Sequence, residues 1–338
     1  MKTAKLTRPG HIEIVQTPQP TIEKEDQVLV RVKAVGICGT DLHTFKGDRN
    51  DIDYPRVMGH ELSGIVEDTG KHVTRVKKGD RVVYDPVNSC GTCRTCRSGH
   101  ENVCGSVKCF GVQMDGGFQE YIVVEEDHLY PFNGPASYEC AALGEPFSIA
   151  ANITAKAQAE TGNRAVIFGA GTIGIAVLSV LKKHGVHVLV SDIADVKLKI
   201  AEDFGADVTV NSKEKSLEEA VEMFSPGGVD VVIDAVGYAS TFEQAIKLAA
   251  PCGRIVEIGF DDREARIAPG IITRKELTIA GSRMNCHRFE TVTRWLEDGT
   301  ITRKMISAVY PLEKLQQAFE DTLTNGDHWL KTIIKIDD

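Results

Sequence analysis

The sequence lacks any run of 18 uninterrupted apolar residues, and no apolar segment of signal-peptide length follows its first six residues. We therefore expect neither a membrane span nor a secretory signal, and we expect a cytoplasmic protein. The sequence also lacks a basic excess, because 39 Lys and Arg residues stand against 48 Asp and Glu residues, for a net charge of −9. This balance provides no global attraction to nucleic acid or to anionic membranes.

No internal repeat and no low-complexity tract interrupts the 338 residues, of which 42 % are hydrophobic. That length and composition are sufficient for about two domains with buried cores. Nine cysteines are present. In a cytoplasmic chain they indicate metal binding or catalysis rather than disulfide bonds.

The pattern of the chain changes after about residue 146. The first 135 residues contain short strands punctuated by Gly and Pro, for example at 28–32, 64–67 and 81–84. Later, strand-like runs at 165–168, 187–191, 229–233 and 254–258 alternate with helical stretches at 172–184, 197–204 and 241–250. This alternation predicts an α/β domain with a parallel sheet and helices on both faces. The last strand-like run, 331–336, is expected to return to the first domain.

A glycine-rich turn follows the first strand of the alternating part. Residues 169–174 match Gly-x-Gly-x-x-Gly between a predicted strand and a predicted helix, which is the context of a dinucleotide-binding loop. Gly169 would make the tight turn, Gly171 would let the backbone approach a pyrophosphate, and Gly174 would allow close helix–sheet packing. The helix N-terminus, with Thr172 and Ile173, would offer N–H groups to the phosphates.

An acidic residue, Asp192, ends the next predicted strand, close to the spacing of a ribose-binding carboxylate. Its charge would repel a 2′-phosphate, which predicts NAD rather than NADP. The alternative is that Asp192 caps the following helix. Further cofactor contacts are expected from that helix and from two later strand ends, because ligands bind outside the carboxyl ends of such strands. These positions, which could instead be plain turns, are Lys197, Val236, Gly237, Ile258 and Gly259.

Four cysteines lie within 15 residues, at Cys90, Cys93, Cys96 and Cys104. A tetrahedral zinc ion needs four donors at about 2.3 Å, and two-residue gaps let a loop wrap around one ion. Four thiolates would close the coordination sphere and leave no position for a substrate. We therefore predict a structural zinc site, with an iron–sulfur cluster as the alternative that uses similar spacing.

Three separated segments carry further candidate metal ligands. Cys38 lies in Gly-Ile-Cys-Gly-Thr-Asp, His60 and Glu61 lie in Gly-His-Glu, and Glu145 precedes a proline. A catalytic zinc site uses three protein ligands and keeps one position open. Alone, each segment would be an ordinary turn or core position, so the prediction depends on their combination with a cofactor fold.

Together and in this order, these motifs resemble the zinc-containing medium-chain dehydrogenases, the family of alcohol, sorbitol and threonine dehydrogenases. The resemblance covers essentially the whole chain. It implies a split fold, with a β-rich GroES-like catalytic domain formed by 1–148 and 288–338 and a doubly wound Rossmann domain formed by 149–287. It also implies two zinc ions per subunit and an NAD cofactor.

The resemblance assigns roles to individual residues. Cys38, His60 and Glu61 are similar to the family's catalytic zinc ligands. Glu145 is similar to the family's alternative ligand, or to an acid that touches the zinc through water, and is also expected to contact the substrate. Thr40 and His43 are similar to the family's proton relay. The implied reaction is hydride transfer from a secondary alcohol to NAD.

The segments at 146–152 and 281–285 are most similar to the bacterial sugar-acid branch, which includes L-galactonate and L-gulonate 5-dehydrogenases and the starvation-sensing dehydrogenase. Arg283 could bind a substrate carboxylate through two hydrogen bonds, with help from Lys46 and Arg49. The alternative is that Arg283 contacts cofactor phosphate or other parts of the fold. We predict a hexonate substrate, such as L-gulonate or L-galactonate, oxidised at C5.

Other functions stay open at this point. A sorbitol-type polyol or L-threonine is the alternative substrate, although Thr44 and Met284 stand where the polyol branch has tyrosines. Outside the enzymes, a regulator that senses the NAD redox state is the alternative. Family analogy predicts a dimer or tetramer that pairs through the strand at 277–279. The remaining cysteines, most of which are expected in the core, are Cys109, Cys140, Cys252 and Cys286. Cys286 could instead line the substrate pocket together with His287.

Overall fold

A computed structural model describes residues 1–336, which form 17 strands and 11 α-helices. The strands are β1 (Lys2–Arg8), β2 (His11–Gln16), β3 (Gln27–Ile37), β4 (Glu61–Thr69), β5 (Arg81–Tyr84), β6 (Val87–Asn88), β7 (Lys108–Cys109), β8 (Tyr121–Glu125), β9 (Leu129–Pro131), β10 (Arg164–Phe168), β11 (His187–Asp192), β12 (Val208–Asn211), β13 (Val229–Asp234), β14 (Ala249–Glu257), β15 (Thr278–Gly281), β16 (Ile306–Pro311) and β17 (Lys331–Lys335). The helices are α1 (Gly39–Lys46), α2 (Arg94–Arg97), α3 (Tyr138–Ala141), α4 (Gly144–Ala157), α5 (Thr172–Lys183), α6 (Asp195–Asp203), α7 (Leu217–Phe224), α8 (Ala239–Leu248), α9 (Pro269–Lys275), α10 (Phe289–Glu297) and α11 (Leu315–Thr324).

The chain divides into two compact units. The first comprises Met1–Ser148 and the chain from Asn285 onward, and the second comprises Ile149–Met284. In the part of the chain that the model describes, no helix is both long enough and apolar enough to cross a bilayer.

A seven-stranded sheet forms the centre of the first unit, in the order β16-β17-β3-β4-β5-β9, with β8 also paired to β3. β3 extends beyond the predicted strand at 28–32 and ends at Ile37. Its pairing with β4 continues along this length through two register shifts. One edge of β3 is shared by β8 and β17. The last strand-like run therefore returns to the first domain, as the sequence predicts.

The second unit contains a six-stranded parallel sheet, in the order β12-β11-β10-β13-β14-β15. Its central strands are buried apolar runs, as expected of strands covered on both faces. The helix predicted at 241–250 begins two residues earlier, because the Thr241 hydroxyl accepts the Tyr238 N–H at the helix start. It also ends two residues earlier, since Ala249 begins β14. The predicted doubly wound fold is confirmed.

The second boundary between the units lies three residues before the predicted one at 287/288. The difference has a local cause, because the three residues bond to the first unit. Asn285 donates to an Asp85 carboxylate oxygen at 3.0 Å, and the Cys286 thiol donates to the Gly99 carbonyl at 3.0 Å. A ring nitrogen of His287 lies 2.8 Å from a Glu101 carboxylate oxygen.

Candidate metal and cofactor sites

Cys38, His60 and Glu61, here called the buried trio, have ligand atoms that all lie within 4.8 Å of one another; His60 and Glu61 are buried and Cys38 is half-buried. The pairing of β3 with β4 causes this, because it places Gly36 opposite Glu61. Cys38 follows β3 by one residue, and His60 immediately precedes β4. A Cβ atom at Gly36 would lie 2.1 Å from Glu61 Oε2, so only glycine leaves room for the carboxylate.

The buried trio contains a carboxylate, Glu61, whose negative charge is balanced by a residue outside the trio. Burial, followed by the nearby Glu61 charge, raises the pKa of the Cys38 thiol to about 12. One cation faces the trio from β17, where Lys331 Nζ lies 2.6 Å from Glu61 Oε1 and also donates to the Ile37 carbonyl. Lys331 is itself buried, with 4 % exposure. The sequence interpretation missed this residue.

Several polar atoms around the trio are buried without a hydrogen-bond partner, namely Glu61 Oε2, His60 Nδ1 and Asp41 Oδ1. His60 Nδ1 lies 3.6 Å from Asp41 Oδ1, too far for a normal hydrogen bond. Buried atoms in this state are costly unless something else satisfies them. A thiol, an imidazole and a carboxylate are the donors that zinc prefers, so the trio fits a zinc ion.

Glu145 and Cys109 lie close to the trio but outside the ligand group. The pKa of Glu145 is raised to about 8, chiefly by burial; His60 opposes the rise, and Glu61 and Cys38 contribute to it. Burial raises the pKa of the Cys109 thiol, with contributions from Glu145 and Cys38. Glu145 is therefore a neighbour of the predicted catalytic site, and Cys109 is a neighbour that the sequence interpretation left without a role.

The two predicted relay residues lie on α1. Thr40 and His43 are three residues apart and so share one helix face. His43 is exposed, and its Nδ1 lies 3.2 Å from an Asp48 carboxylate oxygen. Thr40 is half-buried, so this face of α1 carries one half-buried and one exposed side chain.

Lys46 and Arg49 are the two basic residues after His43 that could help to bind a substrate carboxylate, and Arg49 is already bound to an acidic side chain. Both ends of the Arg49 guanidinium bond to the Asp51 carboxylate, at 3.0 and 2.6 Å. Asp51 also accepts a hydrogen bond from Gln113. Lys46 is exposed at the end of α1.

The sulfur atoms of Cys90, Cys93, Cys96 and Cys104, here called the four-cysteine cluster, are 3.4 to 3.9 Å apart in the four pairs that make contact. A zinc ion with bonds of about 2.3 Å spaces its sulfur ligands by about 3.8 Å, so the cluster fits this ion. The backbone N–H groups of Thr92 and Cys93 lower the pKa of Cys90 to about 5. These hydrogen bonds favour the thiolate that a metal requires.

The remaining cysteines do not lie mostly in the core, and that expectation was wrong. Cys140 is buried, Cys109 and Cys286 are half-buried, and Cys252 is exposed. Cys252 lies within β14 at a φ of +62°, a left-handed position at which the side chain points away from the core.

The glycine-rich loop of the second unit has the geometry that its sequence predicts. Gly169 has a φ of +90°, and a Cβ atom at Gly174 would lie 1.9 Å from the Gly169 carbonyl oxygen. At Gly171, the residue before α5, a Cβ atom would meet nothing within 4 Å. The loop therefore leaves an open approach to the N-terminus of α5, where Thr172 and Ile173 form the first turn.

Asp192 makes hydrogen bonds on both sides of its strand end. Its Oδ2 accepts the Ala170 N–H at 2.7 Å, inside the glycine-rich loop. Its Oδ1 accepts the N–H groups of Ile193 and Ala194, just before α6. The carboxylate thus lies beside the loop and also orders the start of the next helix, so the two interpretations of this residue are compatible.

The later strand ends meet each other. A Cβ atom at Gly237 would lie 2.1 Å from the Gly259 Cα, so the two turns are in close contact. Beneath them, Asp234 accepts from the N–H groups of Val236 and Gly237, and Glu257 accepts from those of Ile258 and Gly259. Of the other predicted residues in this unit, Lys197 is buried on α6 and Arg283 is exposed.

Comparison with known protein families gives two matches. Residues 24–134 match the alcohol dehydrogenase GroES-like domain, and residues 172–298 match the zinc-binding dehydrogenase domain. The first match includes the buried trio and the four-cysteine cluster. The second begins inside the glycine-rich loop.

Individual relatives cover nearly the whole chain. The starvation-sensing protein RspB of Escherichia coli K12 is 35 % identical, with 99 % of each chain covered. L-galactonate-5-dehydrogenase of the same strain is 31 % identical with 93 % of each covered, and D-altritol 5-dehydrogenase of Agrobacterium fabrum is 36 % identical with 86 % of this chain and 87 % of the relative covered.

A solved structure also resembles this chain over nearly its whole length. The crystal structure of RspB from E. coli CFT073, in complex with NADH, superposes with a TM-score of 0.93 at 34 % sequence identity and 99 % coverage of both chains. Its likeness extends over both units of this chain. The chain therefore belongs to the zinc-dependent medium-chain alcohol dehydrogenase family.

Proposed function

We propose that this protein is an NAD-dependent dehydrogenase that oxidises a secondary hydroxyl of a hexonate, with the buried trio as its reaction centre. The observation that supports a reaction centre there is the set of buried, unpartnered polar atoms in a zinc-type donor group. Buried polar atoms normally have a hydrogen-bond partner, and a bound metal ion would satisfy those of the trio.

Cys38, His60 and Glu61 would hold the catalytic zinc ion in this proposal. The ion would supply Lewis acidity, which lowers the pKa of a bound hydroxyl group. Lys331 holds Glu61 Oε1, so Glu61 Oε2 is the oxygen left for the metal. Glu145, outside the trio, would face the substrate hydroxyls as an acceptor.

The proton of the substrate hydroxyl leaves through α1. The Thr40 hydroxyl would take up this proton as it releases its own toward His43, which lies on the same helix face and would pass a proton to solvent. Asp48, 3.2 Å from His43 Nδ1, orients the imidazole ring. NAD, held by the second unit, would supply the hydride acceptor for the carbon that bears this hydroxyl, so that the substrate would become a ketone.

The second unit binds the dinucleotide. Phosphates approach the α5 N-terminus at Gly171, where the open loop exposes backbone N–H groups. The Asp192 carboxylate accepts three backbone N–H groups and retains one lone pair, on Oδ2, for a ribose hydroxyl, while its charge repels a 2′-phosphate, which favours NAD. The four-cysteine cluster would hold the second, structural zinc ion.

For the substrate, L-galactonate-5-dehydrogenase among the relatives supports a sugar acid, with exposed Arg283 as its carboxylate partner. D-altritol 5-dehydrogenase supports a second candidate, a neutral polyol oxidised at the same carbon. The two candidates differ by one carboxylate, and so a charge-removing substitution separates them.

The test is NADH formation by the zinc-loaded protein with L-gulonate, L-galactonate, D-altritol, sorbitol and L-threonine, each with NAD and with NADP. We expect a hexonate and NAD to give the highest kcat/KM. Arg283→Leu should raise KM for the hexonate about tenfold, because a charge-assisted bidentate pair is lost. KM for a polyol should stay unchanged.

The matched control is Arg274→Leu, which removes another exposed arginine of the second unit. Equal effects of Arg283→Leu on hexonate and polyol would remove the carboxylate role. Preference for D-altritol or sorbitol would keep the reaction centre and replace the substrate. No turnover of any of the five compounds would favour the redox-sensor alternative.

A further inference from the structure

A third group of ligand-type side chains lies in the first unit, outside both the buried trio and the four-cysteine cluster. Ligand atoms of Glu101, Cys286 and His287 all lie within 4.8 Å of one another. The proposed reaction uses none of these residues. We propose that they form an accessory binding site for a zinc-class divalent ion.

The three side chains converge from two separate segments. Glu101 begins a short 3-10 helix, Glu101–Val103, between the third and fourth members of the four-cysteine cluster. Cys286 and His287 lie in the segment between β15 and α10. His287 Nε2 is 2.8 Å from Glu101 Oε2, and the Cys286 thiol lies 3.0 Å from the Gly99 carbonyl oxygen. Both segments therefore present their donors to the same small volume.

The geometry needs only a small adjustment to accept an ion. Zinc bonds to nitrogen and oxygen are about 2 Å long, which spaces two tetrahedral ligands by about 3.3 Å. The present 2.8 Å contact between His287 and Glu101 would open by about half an ångström as the ion replaces the shared proton. Cys286 would lose its thiol proton and its bond to the Gly99 carbonyl.

The donor set selects the class of ion. A thiolate, an imidazole and a carboxylate suit zinc and its neighbours in the transition series, whereas calcium and magnesium prefer oxygen ligands alone. Three protein ligands would leave a fourth position for water.

Neighbouring contacts hold the ligands in place without an ion. Asn285 is buried and donates to Asp85, which fixes the backbone before Cys286. His287 has a φ of +53°, and the buried Phe289 ring stacks on Tyr130 with centroids 5.3 Å apart. Cys286 and Glu101 are half-buried while His287 is exposed, so an ion can enter from solvent.

The test is a Co²⁺ titration of the zinc-loaded protein, with bound metal counted by elemental analysis and thiolate coordination followed by the near-ultraviolet charge-transfer band of cobalt. We expect one equivalent of metal beyond the resident zinc, with the band present. Cys286→Ser should abolish the band, and Glu101→Gln and His287→Ala should each weaken binding about tenfold or more. Zinc should raise the Tm of the wild type progressively as its free concentration rises above the Kd of the site.

Cys252→Ser is the matched control, because Cys252 is an exposed cysteine distant in sequence from the accessory site. It should leave the additional equivalent intact. The proposal is overturned if the wild type binds no further equivalent, or if Cys286→Ser gives the same band as the wild type. Should Cys286→Ser not fold, Glu101→Gln decides the matter, since Gln can keep the hydrogen bond to His287 but is a poor zinc ligand. Neither result depends on which alcohol the enzyme oxidises.

Discussion

The two candidate zinc sites of the first unit are built in opposite ways. The four-cysteine cluster comes from 15 consecutive residues and begins at an exposed thiol, Cys90, whose pKa backbone N–H groups lower to about 5. The buried trio comes from two strands and their ends, and burial raises the pKa of Cys38 to about 12. The first is prepared to hold an ion by its local backbone, and the second depends on the surrounding fold.

This difference in construction matches a difference in the proposed roles. The four-cysteine cluster would only bind its ion, whereas the buried trio would use its ion in the reaction. The four-cysteine cluster supplies four similar donors, which fill a tetrahedral sphere. The buried trio instead leaves Glu61 Oε2 and His60 Nδ1 without protein partners and needs Lys331 to balance its charge. A site that must accept a substrate cannot be fully satisfied by its own protein.

The strongest test of this contrast is Cys38→Ser. Loss of the thiolate should remove one zinc ion of two and lower kcat/KM by about a thousandfold, because the Lewis acid is no longer held. The Tm should change little, since the four-cysteine cluster keeps its ion. Elemental analysis, steady-state kinetics and calorimetry on one sample measure all three. A variant that retains both zinc ions would show that Cys38 is not a ligand.

Lys331→Met probes the dependence of the buried trio on its distant partner. Removing the lysine leaves the Glu61 carboxylate buried and unpaired, which should lower the free energy of unfolding by about 3 kcal/mol in zinc-free protein. The loss should be smaller in zinc-loaded protein, because the ion then balances the carboxylate. Urea denaturation with and without a chelator measures both, and exposed Lys304→Met is the control. An equal loss in both states would contradict the charge argument.

The thiols themselves should react at different rates once zinc is removed. At pH 7, above its pKa of about 5, Cys90 is a thiolate, whereas Cys38, with a pKa of about 12, stays protonated. We expect iodoacetamide to modify Cys90 at least about a hundredfold faster, because the thiolate is the nucleophile. Peptide mapping by mass spectrometry gives both rates. Comparable labelling of the two cysteines at pH 7 would remove the electrostatic contrast.

The smallest expected effect is that of Cys96→Ser. Cys96 is the buried cysteine of α2, and its loss should release the structural ion and lower the free energy of unfolding by about 2 kcal/mol. Catalysis at 25 °C should be largely kept, in contrast to Cys38→Ser. Cys252→Ser serves as the cysteine control. Complete loss of activity at full stability would mean that the four-cysteine cluster takes part in the reaction.

Sequence alone predicted what is local along the chain. Four cysteines in 15 residues, and a glycine-rich turn between a strand and a helix, are patterns whose geometry follows from their own backbone. The trio required more, because Cys38 and His60 meet only through the pairing of β3 with β4. Family resemblance supplied that pairing before the structure did.

Partners distant in the chain were not predictable. Lys331 and Glu61 are 270 residues apart, and the register of β17 on β3 that brings them together leaves no local pattern in the sequence. Arg49 was considered for the substrate, yet Asp51, two residues later, binds its guanidinium. In both cases the sequence identifies a charged side chain but does not show which neighbour has the better geometry.

The pairing of β17 with β3 also sets an order of assembly during synthesis. The second unit, Ile149–Met284, is one continuous stretch and can fold as soon as it leaves the ribosome. The first unit cannot complete its sheet until that insertion has been made and β17 has followed it. Glu61 therefore lacks its Lys331 partner until β17 has been synthesised. The ion pair beside the buried trio is among the last features to form, after the fold of the dinucleotide-binding unit is already in place.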